Sequence, residues 1–156
     1  MAKSPPEPNA SGTNRIELSI PSRLEYLGIL DHLVQAIAEQ MDFDADARDA
    51  IANSVIEAAT NAVQHAHQHR HELPVRFLFE IKPDLLDIWV RDLGPGFDLD
   101  EVTLADPTGP EGLLRSRGRG IFIMRAMMDE VEFDIHEGGV IVHMWKYVVP
   151  QDSPKA

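Results

Sequence analysis

Apolar and polar side chains alternate over residues 15–20 (Arg-Ile-Glu-Leu-Ser-Ile), the period-2 signature of a half-buried strand. Pro21 and Ser22 interrupt it, and Ser22 with Glu25 three residues later has the form of a capping box that opens a helix. Leu24, Leu27, Leu30, Val34, Ile37 and Met41 then mark the inner stripe of a long amphipathic helix. Asp42 and Asp44 end it. A second helix is predicted over about residues 44–69, where Ile51, Val55, Ala58, Ala62 and Ala66 form a stripe of small or apolar groups suited to packing on a sheet.

A polar stretch closed by Pro74 follows that helix. Residues 75–81 and 85–90 are rich in β-formers and are joined by Lys82-Pro83-Asp84, which predicts a hairpin. Residues 98–104 fit a short helix, residues 106–120 a long loop bearing glycine and proline, and residues 121–128 resume helical spacing. Residues 130–136 and 140–149, split by Gly138 and Gly139, read as a closing hairpin. Ile121, Met124 and Met128 are expected in the core, and Trp89 and Trp145 beneath the helices. This order implies an α+β, two-layer sandwich, with helices on one face of a mixed, largely antiparallel sheet. Neither a doubly wound fold nor a helical bundle fits it.

With 156 residues and 44% hydrophobic content, the chain is the size of one domain, expected over residues 15–149. Residues 1–14 are polar and proline-rich and read as a disordered leader; residues 150–156 read as a tail. Acidic side chains exceed basic ones by 26 to 14, for a net charge of -12, which argues against non-specific nucleic-acid binding. Cysteine is absent, so disulfides and thiolate metal sites are excluded. No signal pattern opens the chain and no apolar run reaches membrane-spanning length, so no membrane association is expected and a cytoplasmic location is the default.

Three stretches carry candidate chemistry. Glu57, Asn61 and His65 lie four residues apart and share one helix face, a carboxylate, a carboxamide and an imidazole in a row. Taken alone, such a row is also what a solvated face provides. Asp92-Leu-Gly94-Pro-Gly96-Phe97 leaves a strand with two glycines around a proline, giving a flat ligand close access beside a carboxylate; an ordinary turn looks similar. Arg117-Gly118-Arg119-Gly120 is read as preceding a helix, where glycine amides and a helix N-terminus suit an anion; a flexible loop is the plainer reading. The alternating His65, His67, His69 and His71 have no completing carboxylate or cysteine and read as a solvated helix end, not a metal site.

In this order within one domain, the three stretches resemble the N box and the first and second glycine boxes of the GHKL (Bergerat-fold) ATPases. The short lid and the ending Met128-Asp129-Glu130-Val131 are similar to the bacterial anti-sigma-factor serine kinases. The resemblance covers roughly residues 16–148. It implies ATP and Mg²⁺ as cofactors, with Asn61 as the metal ligand, Asp92 receiving the adenine amine, and Gly94 and Gly96 passing against the base. Gly118, Arg119 and Gly120 would wrap the phosphates, His65 would sit near them, and Glu57 would orient or deprotonate the attacking hydroxyl. It further implies a protein serine kinase that phosphorylates an anti-anti-sigma partner on serine, binds a sigma factor, and forms a homodimer. A nucleotide-dependent module that sequesters a regulator without phosphotransfer would use the same boxes, but would not need Glu57. The resemblance gives no role to Thr108, Arg115 or Arg117.

Overall fold

Strand β1 (Asn14–Pro21), β2 (Pro74–Ile81), β3 (Leu85–Arg91), β4 (Glu130–His136) and β5 (Gly139–Tyr147) pair in the order β1-β2-β3-β5-β4. All four pairings are antiparallel. This computed structural model describes residues 14–104 and 112–150. The expectations for the leader up to residue 13, for residues 105–111 of the long loop and for the end of the tail lie outside the described residues.

The two predicted hairpins form where their turn residues put them. Lys82 N–H donates to the Leu85 carbonyl at 2.9 Å to close β2–β3, and Gly139, at φ 142°, faces His136 to close β4–β5. Alternation then sorts the side chains. Phe77, Phe79, Leu86, Ile88, Val90, Val140, Val142 and Met144 point to the helical layer. That layer contains α1 (Leu27–Gln40), α2 (Ala45–Asn61), the short α3 (Leu99–Leu104) and α4 (Gly112–Met127). The α2 stripe of Ile51, Val55, Ala58 and Ala59 is fully or nearly fully buried, and small side chains there let the helix lie close to the sheet. No described helix is long and apolar enough to cross a membrane.

Four local expectations are corrected. Ser22 does not cap a helix: a 3₁₀ turn (Leu24–Tyr26) precedes α1, its N-cap Arg23 has no side-chain cap bond, and Ser22 is fully buried. The α2 helix, capped by the Asp44 carboxylate accepting from Ala47 N–H at 2.8 Å, ends at Asn61 and passes into a π turn (Ala62–Ala66). Gln68 and His69 then take positive φ values of 49° and 59°, which stops the helix short of the predicted end. The α4 helix begins at Gly112, so residues 112–120 are helical where a loop was expected. Trp89 lies on the sheet face away from the helices, clustered with Leu78 and Ile141 and stacked on His143 at 4.3 Å; Trp145 contacts the same imidazole. Ile121, Met124 and Met128 are in the core as expected.

Candidate active site

The polar row of α2 is covered by α4. A Cβ placed on Gly120 would lie 2.9 Å from Glu57 Oε2 and 3.2 Å from Asn61 Nδ2, so the absence of a side chain lets α4 approach both groups. Burial raises the Glu57 pKa above the ordinary carboxylate value, and the Arg119 charge partly opposes it. The imidazole of His65, in the π turn, is half-buried with no partner at Nε2. Burial lowers its pKa, and Arg117 lowers it further. Gly118 and Gly120 therefore sit within α4, not ahead of a helix. Gly118 is tight against the Val102 carbonyl of α3, at 2.7 Å from where its Cβ would stand. The helix N-terminus expected at these glycines is not there.

Asp92 follows β3 and is buried. Its N–H donates to the Val140 carbonyl at 3.0 Å, and its Oδ1 accepts from Gly94 N–H at 2.9 Å and Val140 N–H at 3.2 Å. Oδ2 accepts from no described residue. Burial raises the carboxyl pKa; the two amides, His67 and Arg117 pull the other way. The turn is packed from both sides. A Cβ on Gly94 would stand 2.5 Å from Ala66 Cβ, and Gly96, at φ 81°, passes the His136 carbonyl. No Cβ fits at Gly139 against the Asp92 carbonyl.

Arg117 joins the two halves. It is 9% exposed, its guanidinium lies 3.9 Å over the Phe97 ring, and its Nε has no partner. Burial lowers its pKa to about 10, with the Asp92 charge opposing. The same cation lowers the His65 pKa, so its charge acts on both the π turn and the Asp92 turn. Phe97 meets Phe133 edge-on at 6.4 Å, and Arg125 lies over Phe133 at 5.6 Å, which ties α4 to the turn and to β4. The sequence left Arg117 without a role; its only signal was an arginine beside the second glycine stretch.

The arrangement offers a buried carboxylate acceptor at the Asp92 turn, a half-buried imidazole at His65 and the Arg117 guanidinium over Phe97, and a carboxylate with a carboxamide beneath α4. Such a site suits a ligand with an amine-bearing ring and an anionic tail. Among the described residues, no group of three or more His, Asp or Glu could hold a metal by itself. A metal at Asn61 would thus share its shell with ligand phosphates, as magnesium does. A profile of the histidine kinase-like ATPase domain matches residues 20–146.

The chain belongs to the histidine kinase-like ATPase family. Within it, the chain is similar to the serine-protein kinase RsbW of Oceanobacillus iheyensis, at 30% identity over 91% of this chain and 92% of the relative. It is 34% identical to the serine-protein kinase RsbW of Bacillus subtilis over 85% of each chain. A solved structure of the RsbU and RsbW domains of a Mycobacterium tuberculosis protein superposes with a TM-score of 0.60 at 13% identity. That match covers 88% of this chain and 34% of the other, and it shows the shared fold. The family's ATP-binding domain is the α+β architecture found here.

Proposed function

We propose that this ATPase-family chain is an ATP-dependent protein serine kinase and anti-sigma factor, which phosphorylates a small anti-anti-sigma protein on serine in a partner-switching pathway. The observation that carries it is Asp92: one oxygen is anchored by two backbone amides, the other accepts from no described residue, and α4, whose Arg117 feels its charge, packs through Gly120 on Glu57 and Asn61. Adenine recognition falls to Asp92 Oδ2, with Gly94 and Gly96 lining the base. His65, Arg117 and Arg119 supply positive or donor character to the phosphates, and Gly118 and Gly120 keep α4 close to them. Asn61 would hold Mg²⁺ through its carboxamide oxygen, and the metal would supply charge neutralisation at the phosphates.

The serine oxygen of the partner attacks the γ-phosphorus as the bond to the ADP oxygen breaks, and Glu57 takes the hydroxyl proton. Burial supports that role, since a carboxylate with a raised pKa is a better base near neutral pH. The protein partners are an acceptor of this kind and a sigma factor or comparable regulator. A homodimer and a cytoplasmic setting belong to the same proposal; sedimentation velocity tests the first.

The functional test incubates the chain with Mg·ATP and small candidate acceptors encoded beside its gene. Intact-mass analysis should show one phosphoryl group on an acceptor serine with wild type and far slower transfer with Glu57→Gln. Normal transfer by Glu57→Gln would remove Glu57 from the catalytic role. ATP-sensitive capture of a partner without any phosphoprotein would favour the sequestering module.

A further inference from the structure

His67 is fully buried at the end of the π turn, although the alternating histidines read as a solvated run. Two segments meet on its ring, and a third is joined to it through Ser22. Leu93 N–H donates to Nε2 at 2.8 Å. Ser22 Oγ lies 2.6 Å from Nδ1 and donates its own proton to the Leu73 carbonyl, also at 2.6 Å. Because the serine proton is committed and Leu93 can only donate, Nδ1 must carry the imidazole proton and Nε2 must be the acceptor. The ring thus ties the end of β1 and the start of β2 to Leu93, the residue between Asp92 and Gly94.

We propose that His67 is a positioning residue for purine recognition: it holds the Asp92–Gly94 turn so that the free Asp92 oxygen faces an exocyclic amine. It rests on the kinase reading and adds to it a residue that touches no nucleotide atom. Packing on the next residue of the turn supports it. Ala66 presses on Gly94 from the same π turn, so packing and hydrogen bonding act on adjacent residues. Neither constraint works through Glu57 or Asn61. The charged groups acting on the ring are Asp92 from the strand end and Arg70 and Glu72 from the segment after the π turn. Protonating Nε2 would set a donor against the Leu93 N–H and release the turn.

The readout is selectivity for the 6-amino group, which a merely structural residue would not control. Mg·ATP and Mg·GTP are titrated calorimetrically into the full chain and its His67→Phe, His67→Gln and Ser22→Ala variants. His67→Phe removes the acceptor, and its ATP affinity should fall about tenfold while its GTP affinity changes little, the loss expected for one displaced polar contact. His67→Gln, whose carboxamide oxygen can accept from Leu93, should recover most of the ATP preference. Ser22→Ala should lower the preference less than His67→Phe does. An unchanged ATP-to-GTP ratio in His67→Phe, or a glutamine variant as poor as phenylalanine, overturns the proposal. If the phenylalanine variant does not fold, unchanged selectivity in Ser22→Ala overturns it and a reduced one supports it. Wild type that binds no Mg·ATP defeats the kinase reading itself, whereas wild-type binding with unaltered variants defeats this inference alone.

Discussion

Asp92 and Glu57 are carboxylates whose surroundings favour the neutral form, and that fixes the sign of their effect on stability. Each has its folded-state pKa raised, chiefly by burial. Each therefore costs stability at neutral pH, a cost relieved as pH falls through the folded-state pKa and gone below the unfolded one. Glu57→Gln should melt no lower than wild type at pH 7, and its advantage should disappear on acidification toward pH 4. Thermal melts across that range check this. Transfer by the same variant should fall by about 10²–10⁴-fold, the usual worth of a positioned base. Asp92→Asn keeps an oxygen for Gly94 and Val140 but turns a donor toward the adenine amine. Its ATP affinity should drop by about 2–3 kcal/mol, roughly 30- to 150-fold, with the fold intact. Glu57, Asn61 and Asp92 were legible as positions, on one helix face and just after a strand, because spacing alone puts them there. His67 and Arg117 were not, since their roles arise from Leu93, Ser22 and Phe97, each distant in sequence.

Helix α4 shows how contacts between elements override local preference. Gly118 and Gly120 are poor helix formers, and a reading by propensity starts the helix after them. Both glycines are instead the points of closest approach, to α3 and to α2. The two kinds of glycine in the site should respond differently to alanine. Gly94→Ala sets a methyl against Ala66 Cα and Cβ, which are backbone-fixed, and should destabilise by about 1–3 kcal/mol in chemical denaturation. Gly120→Ala meets the flexible ends of Glu57 and Asn61, while helix propensity gains about 1 kcal/mol. Stability should hold or rise there as phosphotransfer falls. The π turn was invisible to periodicity because five residues are too few to reset a pattern read over a whole helix.

At the scale of the molecule, the five strands and their hairpins were legible because alternation and turn residues act locally. Which sheet face receives the helices is a global choice. On β3, Leu86, Ile88 and Val90 share one face and Asp87, Trp89 and Arg91 the other, so parity puts the indole on the polar face although its size suggested a place beneath the helices. The open face compensates with its own packing: Trp89 stacks on His143, which bonds Asp87 at 2.9 Å, and Asp87 pairs with Lys82 at 2.7 Å. Trp89→Ala should cost about 3–5 kcal/mol in denaturant titration, as for a core aromatic, although it touches no part of the nucleotide site. Burial alone would raise the Asp87 pKa, but the bonds from His143 and Lys82 bring it below the ordinary value. Its contribution is therefore present above the unfolded carboxylate pKa and lost as pH falls through the folded one.

Whether Asn61 and Asp92 serve opposite ends of one nucleotide is tested most directly by titration calorimetry of the chain with Mg·ATP. It should give saturable binding of one nucleotide per chain, weakened when magnesium is chelated or Asn61 is replaced by Ala, and weakened independently by Asp92→Asn. Binding that ignores both the metal and Asp92, or no heat with any adenine nucleotide, would contradict it.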